Sequence, residues 1–184
     1  MAHLIDDDLS LSRDFNLIMK LILLTHEREF DRITNTGALV QRRFPHLCQR
    51  VLWQRKEPNQ AMLELIESGK VGLVYPSTES AGLKVTSGTA LSHELPEYMI
   101  LLDATWQEAA KMYRQSPYLQ NLPTYHLEQA PQTLYVRRRN QKQGGLCTLE
   151  CAAVLYELAG DAENATQLLG DLKAHNLKQF DTCG

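Results

Sequence analysis

The feature that most constrains this chain is a pair of strand-length segments almost empty of polar residues. Leu17–Thr25 holds one charge, Lys20, and Tyr98–Leu102 holds none before the chain reaches Asp103. A strand with one face in water alternates apolar and polar residues. A solid apolar run belongs instead to a strand covered on both faces, as in a parallel sheet packed between helices. The run from Phe15 to Leu24 is broken by Asn16 and Lys20 and is about half the ~20 apolar residues a membrane span needs. No membrane association is expected.

The remaining pattern fits around those two strands. Cys48–Trp53, Val71–Tyr75, Pro123–Leu127 and Thr133–Val136 read as further strands, with a minor one at Leu83–Thr86. Helices are predicted at Ala38–Phe44, from the Asn59 cap through Glu67, at Thr105–Arg114, from a Thr148 cap to Ala159, and over Ala162–Asn176. His26–Arg32 is so charged that it reads as loop or surface. Strands alternating with helices predict an α/β fold, a mainly parallel sheet flanked by helices. The 184 residues fit one domain, with 1–14 an irregular lead-in and 15–184 the folded unit.

Nineteen Lys and Arg against 22 Asp and Glu leave a net charge of −3, so bulk charge cannot grip nucleic acid and any such role rests on local patches. Cys48, Cys147, Cys151 and Cys183 form no Cys-x-x-Cys pair, and Asp6, Asp7 and Asp8 stand where a secretory signal would be basic. Reduced thiols in a cytoplasmic protein are expected, with no metal site: Cys147 and Cys151 share a helix face without further clustered ligands.

Open parallel sheets bind ligands beyond the carboxyl ends of their strands, which picks out three constellations. In Leu102-Asp103-Ala104-Thr105-Trp106 a strand delivers a carboxylate, a helix cap and an indole in succession. The carboxylate could take a proton or hold an ammonium, and the indole could stack on a purine or a sulfonium. Equally, Asp103 could be a cap partner and Trp106 core. Arg137-Arg138-Arg139-Asn140-Gln141-Lys142, followed by Gly144-Gly145-Leu146-Cys147-Thr148, suits an anion at a helix start, or a solvated basic loop. Arg32 and Thr34-Asn35-Thr36-Gly37 could meet a polar ligand or cap a helix. Arg42, Arg43, Arg50, Arg55 and Lys56 downstream could form an RNA-facing stripe around Trp53.

Taken in order, Thr34-Asn35-Thr36-Gly37, Tyr75-Pro76-Ser77, the Asp-x-Thr-Trp of Asp103–Trp106 and Leu146-Cys147-Thr148-Leu149-Glu150 resemble the DTW-domain family of tRNA-uridine aminocarboxypropyltransferases. The resemblance spans roughly residues 17–160. It implies a SPOUT-like fold with a C-terminal knot around S-adenosylmethionine. It also implies transfer of that molecule's 3-amino-3-carboxypropyl group to N3 of a uridine in tRNA, with 5′-methylthioadenosine released. Under it Asp103 is the expected catalytic residue, as a base near N3 or as the partner of the donor's ammonium. Thr105, Trp106, Pro76, Gly145, Leu146 and Thr148 are expected to hold S-adenosylmethionine, and Arg32, Asn35, Thr36, Arg137 and Arg139 the RNA. Many relatives carry a cysteine cluster near the N-terminus, whereas residues 1–47 here contain none. That leaves open which uridine and which RNA are modified, and whether the protein is a monomer or a homodimer.

Two rivals remain at this level. A SPOUT-type RNA methyltransferase would share fold and donor but present the methyl carbon, giving S-adenosylhomocysteine rather than methylthioadenosine. A non-catalytic RNA-binding protein would bind no donor at all.

Overall fold

A computed structural model describes residues 19–76, 81–84, 95–128, 132–135 and 145–180. Its strands are β1 (Lys20–Thr25), β2 (Cys48–Leu52), β3 (Val71–Val74), β4 (Ala81–Lys84), β5 (Tyr98–Asp103) and β6 (Thr124–Glu128). Its helices are α1 (Glu27–Phe30), α2 (Thr36–Arg43), α3 (Gln60–Glu67), α4 (Trp106–Arg114), α5 (Pro117–Gln120), α6 (Thr148–Leu158) and α7 (Ala162–Phe180). The strands form one sheet in the order β2-β1-β5-β3-β6-β4, and every pairing is parallel. The α/β architecture read from the apolar runs is present.

The two most apolar segments lie side by side at the centre. β1 pairs with β5 from Lys20↔Tyr98 to Thr25↔Asp103, so both strands end at the same level and present Thr25 and Asp103 together. Side chains alternate across a strand, and each face here has its own core. Leu21, Leu23, Met99 and Leu101 face α2, α6 and α7, where Val40, Leu155 and Leu168 are buried. Ile22, Leu24 and Ile100 face α3, α4 and α5, meeting Met62, Met112 and Leu119. Leu23 and Ile100 are fully buried, each worth about 1.5–3 kcal/mol of transfer free energy. Neither strand has a face left for polar residues.

Local chemistry sets the helix ends. The Asn59 side chain accepts from the Met62 amide at 3.0 Å to open α3, and Gly69, at φ 74°, closes it in the left-handed conformation glycine adopts without strain. Asn35 opens α2 by accepting from Ala38 at 2.7 Å.

Residues 27–30 form a short surface helix with no buried residue, because the His26 ring accepts from the Arg28 amide and starts a turn. Two expectations need correction. Of the strand expected at Thr133–Val136, Val136 lies outside the described residues, and residues 133–135 have no ladder partner among them. Their polar groups go to the Glu150 carboxylate, with the Thr133 hydroxyl at 2.8 Å and the Leu134 amide at 2.5 Å. Thr148 does not cap α6. Cys147 occupies the cap position, its amide donating to Glu150 at 2.8 Å, and Thr148 is the first helical residue.

Candidate active site

Asp103 ends β5 at 2% exposure, and a carboxylate so buried is tolerable only when donors surround it. It has them from three segments. Thr25 at the end of β1 donates its hydroxyl to Oδ2 at 3.1 Å. Asn35, before α2, donates its amide to Oδ1 at 3.1 Å and Oδ2 at 3.0 Å. Thr148 opens α6 and donates its hydroxyl to Oδ1 at 2.8 Å. The guanidinium of Arg50, from β2, adds its charge 3.8 Å from Oδ2. It is buried as well, donating to the Phe30 carbonyl at 3.0 Å and lying over the Phe30 ring.

This junction is tight. A Cβ at Gly37 would fall 2.6 Å from Asp103 Oδ2, so only glycine lets α2 approach the carboxylate this closely.

Beside the junction, at the carboxyl ends of β3, β5 and β6, opens a hollow of about 250 Å³. Its position obeys the rule for open parallel sheets. Leu101, Leu102 and Ala109 give it apolar walls, and Tyr75, Pro76 and Trp106 form a rim. Tyr75 stacks on Tyr113 of α4 at 4.1 Å, while the Trp106 indole stays 42% exposed. His126, Thr148 and Cys151 supply the polar atoms. Thr148 belongs to both places: it lines the hollow and holds Asp103.

A model of the DTW domain family matches residues 10–180. The chain belongs to the DTW domain family. Among curated proteins it is similar to tRNA-uridine aminocarboxypropyltransferase 2 of Drosophila melanogaster, at 29% identity over 73% of this chain and 53% of that protein. The chain thus spans about half the length of that relative. No solved structure matches it.

In this DTW-family chain the signature Asp103–Trp106 separates into three tasks. Asp103 points into the junction and is not among the residues lining the hollow. Thr105 is exposed and builds a capping box with Glu108: the Thr105 amide donates to Oε2 at 3.1 Å and the Glu108 amide donates to the Thr105 hydroxyl at 3.3 Å. Trp106 faces the hollow, with Ala104 beside it on the wall. Of the residues expected to hold the donor, Pro76, Trp106, Leu146 and Thr148 are brought together on its walls, with Gly145 buried just before Leu146.

The residues expected to meet RNA divide differently. Asn35 and Thr36 are buried, Asn35 against Asp103. Arg32 is exposed and paired with Glu29 at 2.5 Å. Arg137 and Arg139 lie outside the described residues. The arginine stripe does not hold together: Arg50 is buried beneath α1 and Arg43 pairs with Asp171 on α7. Trp53 stacks on His26 and donates to Ser116 at 3.0 Å.

His126 and Cys151 carry no signal of a site in the sequence patterns above. His126 lies inside the strand expected at 123–127 and inside β6, so a rule that looks beyond strand ends passes over it. Nothing in the sequence marks Arg50 as different from its neighbours. The two buried thiols among the described residues are chemically quiet. Burial, with Asp103 adding, pushes Cys48 up to about 12, and burial with Glu150 pushes Cys147 to about 12, so neither forms a reactive thiolate near neutrality.

Proposed function

We propose that this protein transfers the 3-amino-3-carboxypropyl group of S-adenosylmethionine to N3 of a uridine in tRNA, releasing 5′-methylthioadenosine. The observation that carries the reading is the hollow at the sheet's carboxyl edge, fronted by the half-exposed indole of the family signature. Its chemistry suits the donor: apolar walls for an adenine ring, an indole face for a sulfonium cation, and a fixed hydroxyl on Thr148. The name of the Drosophila relative supports the reaction class. S-adenosylmethionine supplies a carbon made electrophilic by a sulfonium that departs as a neutral thioether, so no acid is required of the protein, and the proton that N3 loses as it bonds to that carbon passes to solvent.

What this chain's residues contribute is orientation. Attack at the amino-acid chain rather than at the methyl group requires that chain to be held in line with N3, within about 3–3.5 Å. Thr148, Leu146 and Trp106 are the groups placed to do so. Asp103, which accepts four hydrogen bonds and does not line the hollow, is assigned the part of positioning residue. It fixes the Thr148 hydroxyl and locks β1, α2 and α6 together. Arg137 and Arg139 are assigned to a carboxylate or an RNA phosphate. A SPOUT-like fold with a C-terminal knot accompanies the reading, supported by the all-parallel sheet and by the hollow's position against Leu146 and α6.

Calorimetric titration with S-adenosylmethionine tests the site. The wild-type chain should bind, and Trp106→Ala should weaken binding about 2- to 30-fold, the span of a cation–π contact of ~0.5–2 kcal/mol. No heat from the wild type, or an unchanged Kd in the variant, would reject the assignment.

A further inference from the structure

A second hollow, of about 180 Å³, lies on the other side of the first turn of α4. That turn divides the two: Trp106 and Ala109 face the apolar hollow, whereas Gln107, Glu108 and Lys111 face the second, together with His26, Glu27 and Arg28. The walls of the second hollow are polar and carry both signs of charge. Arg28, whose side chain is 77% exposed, comes no nearer than 3.8 Å to Glu108, and Lys111 is exposed. The floor is rigid. The His26 ring is buried, accepts from the Arg28 amide at 3.3 Å and stacks on Trp53.

We propose that this cleft receives the ribose and phosphate of the acceptor nucleotide, with Arg28 and Lys111 on the phosphate and Glu108 and Gln107 on the 2′-hydroxyl. The inference rests on the transfer reading above and places that reaction's second substrate. The chemistry matches on both counts. A sugar-phosphate offers an anion beside a hydroxyl that donates and accepts, and a cleft with exposed cations next to a carboxylate and an amide answers each. A free anion would have no use for Glu108. Burial alone would raise the Glu108 carboxyl, but the Thr105 hydroxyl and amide, then His26 and Arg28, hold it below its usual value. It is therefore an ionised acceptor for a hydroxyl at neutral pH. The location matches too. Consecutive residues, Trp106 and Gln107, line the two hollows, so the two adjoin across the first turn of α4. The 2′-hydroxyl is the group by which a protein tells RNA from DNA, and phosphate contacts fix register without reading sequence.

The test uses the full chain, unmodified tRNA and no donor, with affinity measured at several salt concentrations. The double variant Arg28→Ala/Lys111→Ala should bind tRNA about tenfold or more weakly. Its plot of log affinity against log salt should be shallower by about 0.7–0.9 for each phosphate that the protein no longer neutralises. Its Kd for S-adenosylmethionine should stay at the wild-type value, because neither residue lines the first hollow. Both side chains are exposed, so folding should survive. Uridine oligoribonucleotide should outcompete its deoxy counterpart on the wild type, with the preference shrinking in Gln107→Ala. Wild-type affinity and salt slope in the double variant, with wild-type transfer intact, would overturn the cleft alone. A wild-type chain that binds neither tRNA nor donor would overturn the transfer reading and the cleft with it.

Discussion

Asp103 ties together segments that lie far apart in the sequence. Its carboxylate takes hydrogen bonds from Thr25, Asn35 and Thr148, which lie 78, 68 and 45 residues away in sequence, and it faces the buried charge of Arg50. Breaking a buried ion pair by removing one partner costs about 3–5 kcal/mol, since the other charge is left stranded. Asp103→Asn therefore should lower Tm by about 10 °C, given roughly 2–4 °C per kcal/mol for a domain of this size. Calorimetric scanning checks this, and a variant that melts with the wild type would contradict the junction. Gly37→Ala acts on the same group from outside. Its Cβ would meet an oxygen that cannot retreat, and overpacking of this kind costs about 1–3 kcal/mol. The midpoint of chemical denaturation should fall accordingly, and an unmoved midpoint would mean that α2 shifts freely. The sequence shows Asp103 at a strand end, and there its legibility stops. A strand end specifies position, but the direction of the side chain is decided by donors brought from distant segments. For the same reason Arg50 reads as one more surface cation until Asp103 and Phe30 close over it.

Elements with local signals were the legible ones. Asn59 and Ser68-Gly69 bracket α3 in sequence and structure alike, because cap and terminator act within a turn of themselves. The segment 133–135 was not legible as irregular, since Thr133 and Tyr135 are of the types that favour strands wherever a neighbouring edge exists. Here Glu150 takes the backbone amide instead. In α4 the capping box joins the two hollows mechanically, because the residues that cap it are neighbours of those that line them. Thr105→Ala removes the hydroxyl from that box and should cost about 1 kcal/mol, measurable by urea denaturation; an unaltered midpoint would show the box to be idle. Glu108→Gln probes its pH dependence. Since the folded carboxyl lies below its usual value, its ionised form contributes stability above the unfolded value near 4.5, lost as pH falls through the folded one. The stability gap between wild type and Glu108→Gln should hold at neutral pH and close in acid, below the carboxylate range. A gap constant with pH would contradict it.

On the scale of the whole molecule, two solidly apolar strands dictate a sheet covered on both faces, and the structure supplies a separate core for each face. The class of fold was legible for that reason. The strand order was not, because β5 enters between β1 and β3 and nothing local in a strand names its neighbours. That insertion places the family signature at the centre of the carboxyl edge, with an apolar hollow on one side of α4 and a polar cleft on the other. A two-substrate transferase needs two such places, one for a cationic donor and one for an anionic acceptor. The most direct measurement follows one carbon chain. S-adenosylmethionine labelled in its aminocarboxypropyl group is incubated with the protein and unmodified tRNA, and the nucleosides and small products are separated by mass. The account predicts label on uridine and unlabelled 5′-methylthioadenosine; label retained in S-adenosylhomocysteine, or in unreacted donor, would contradict it.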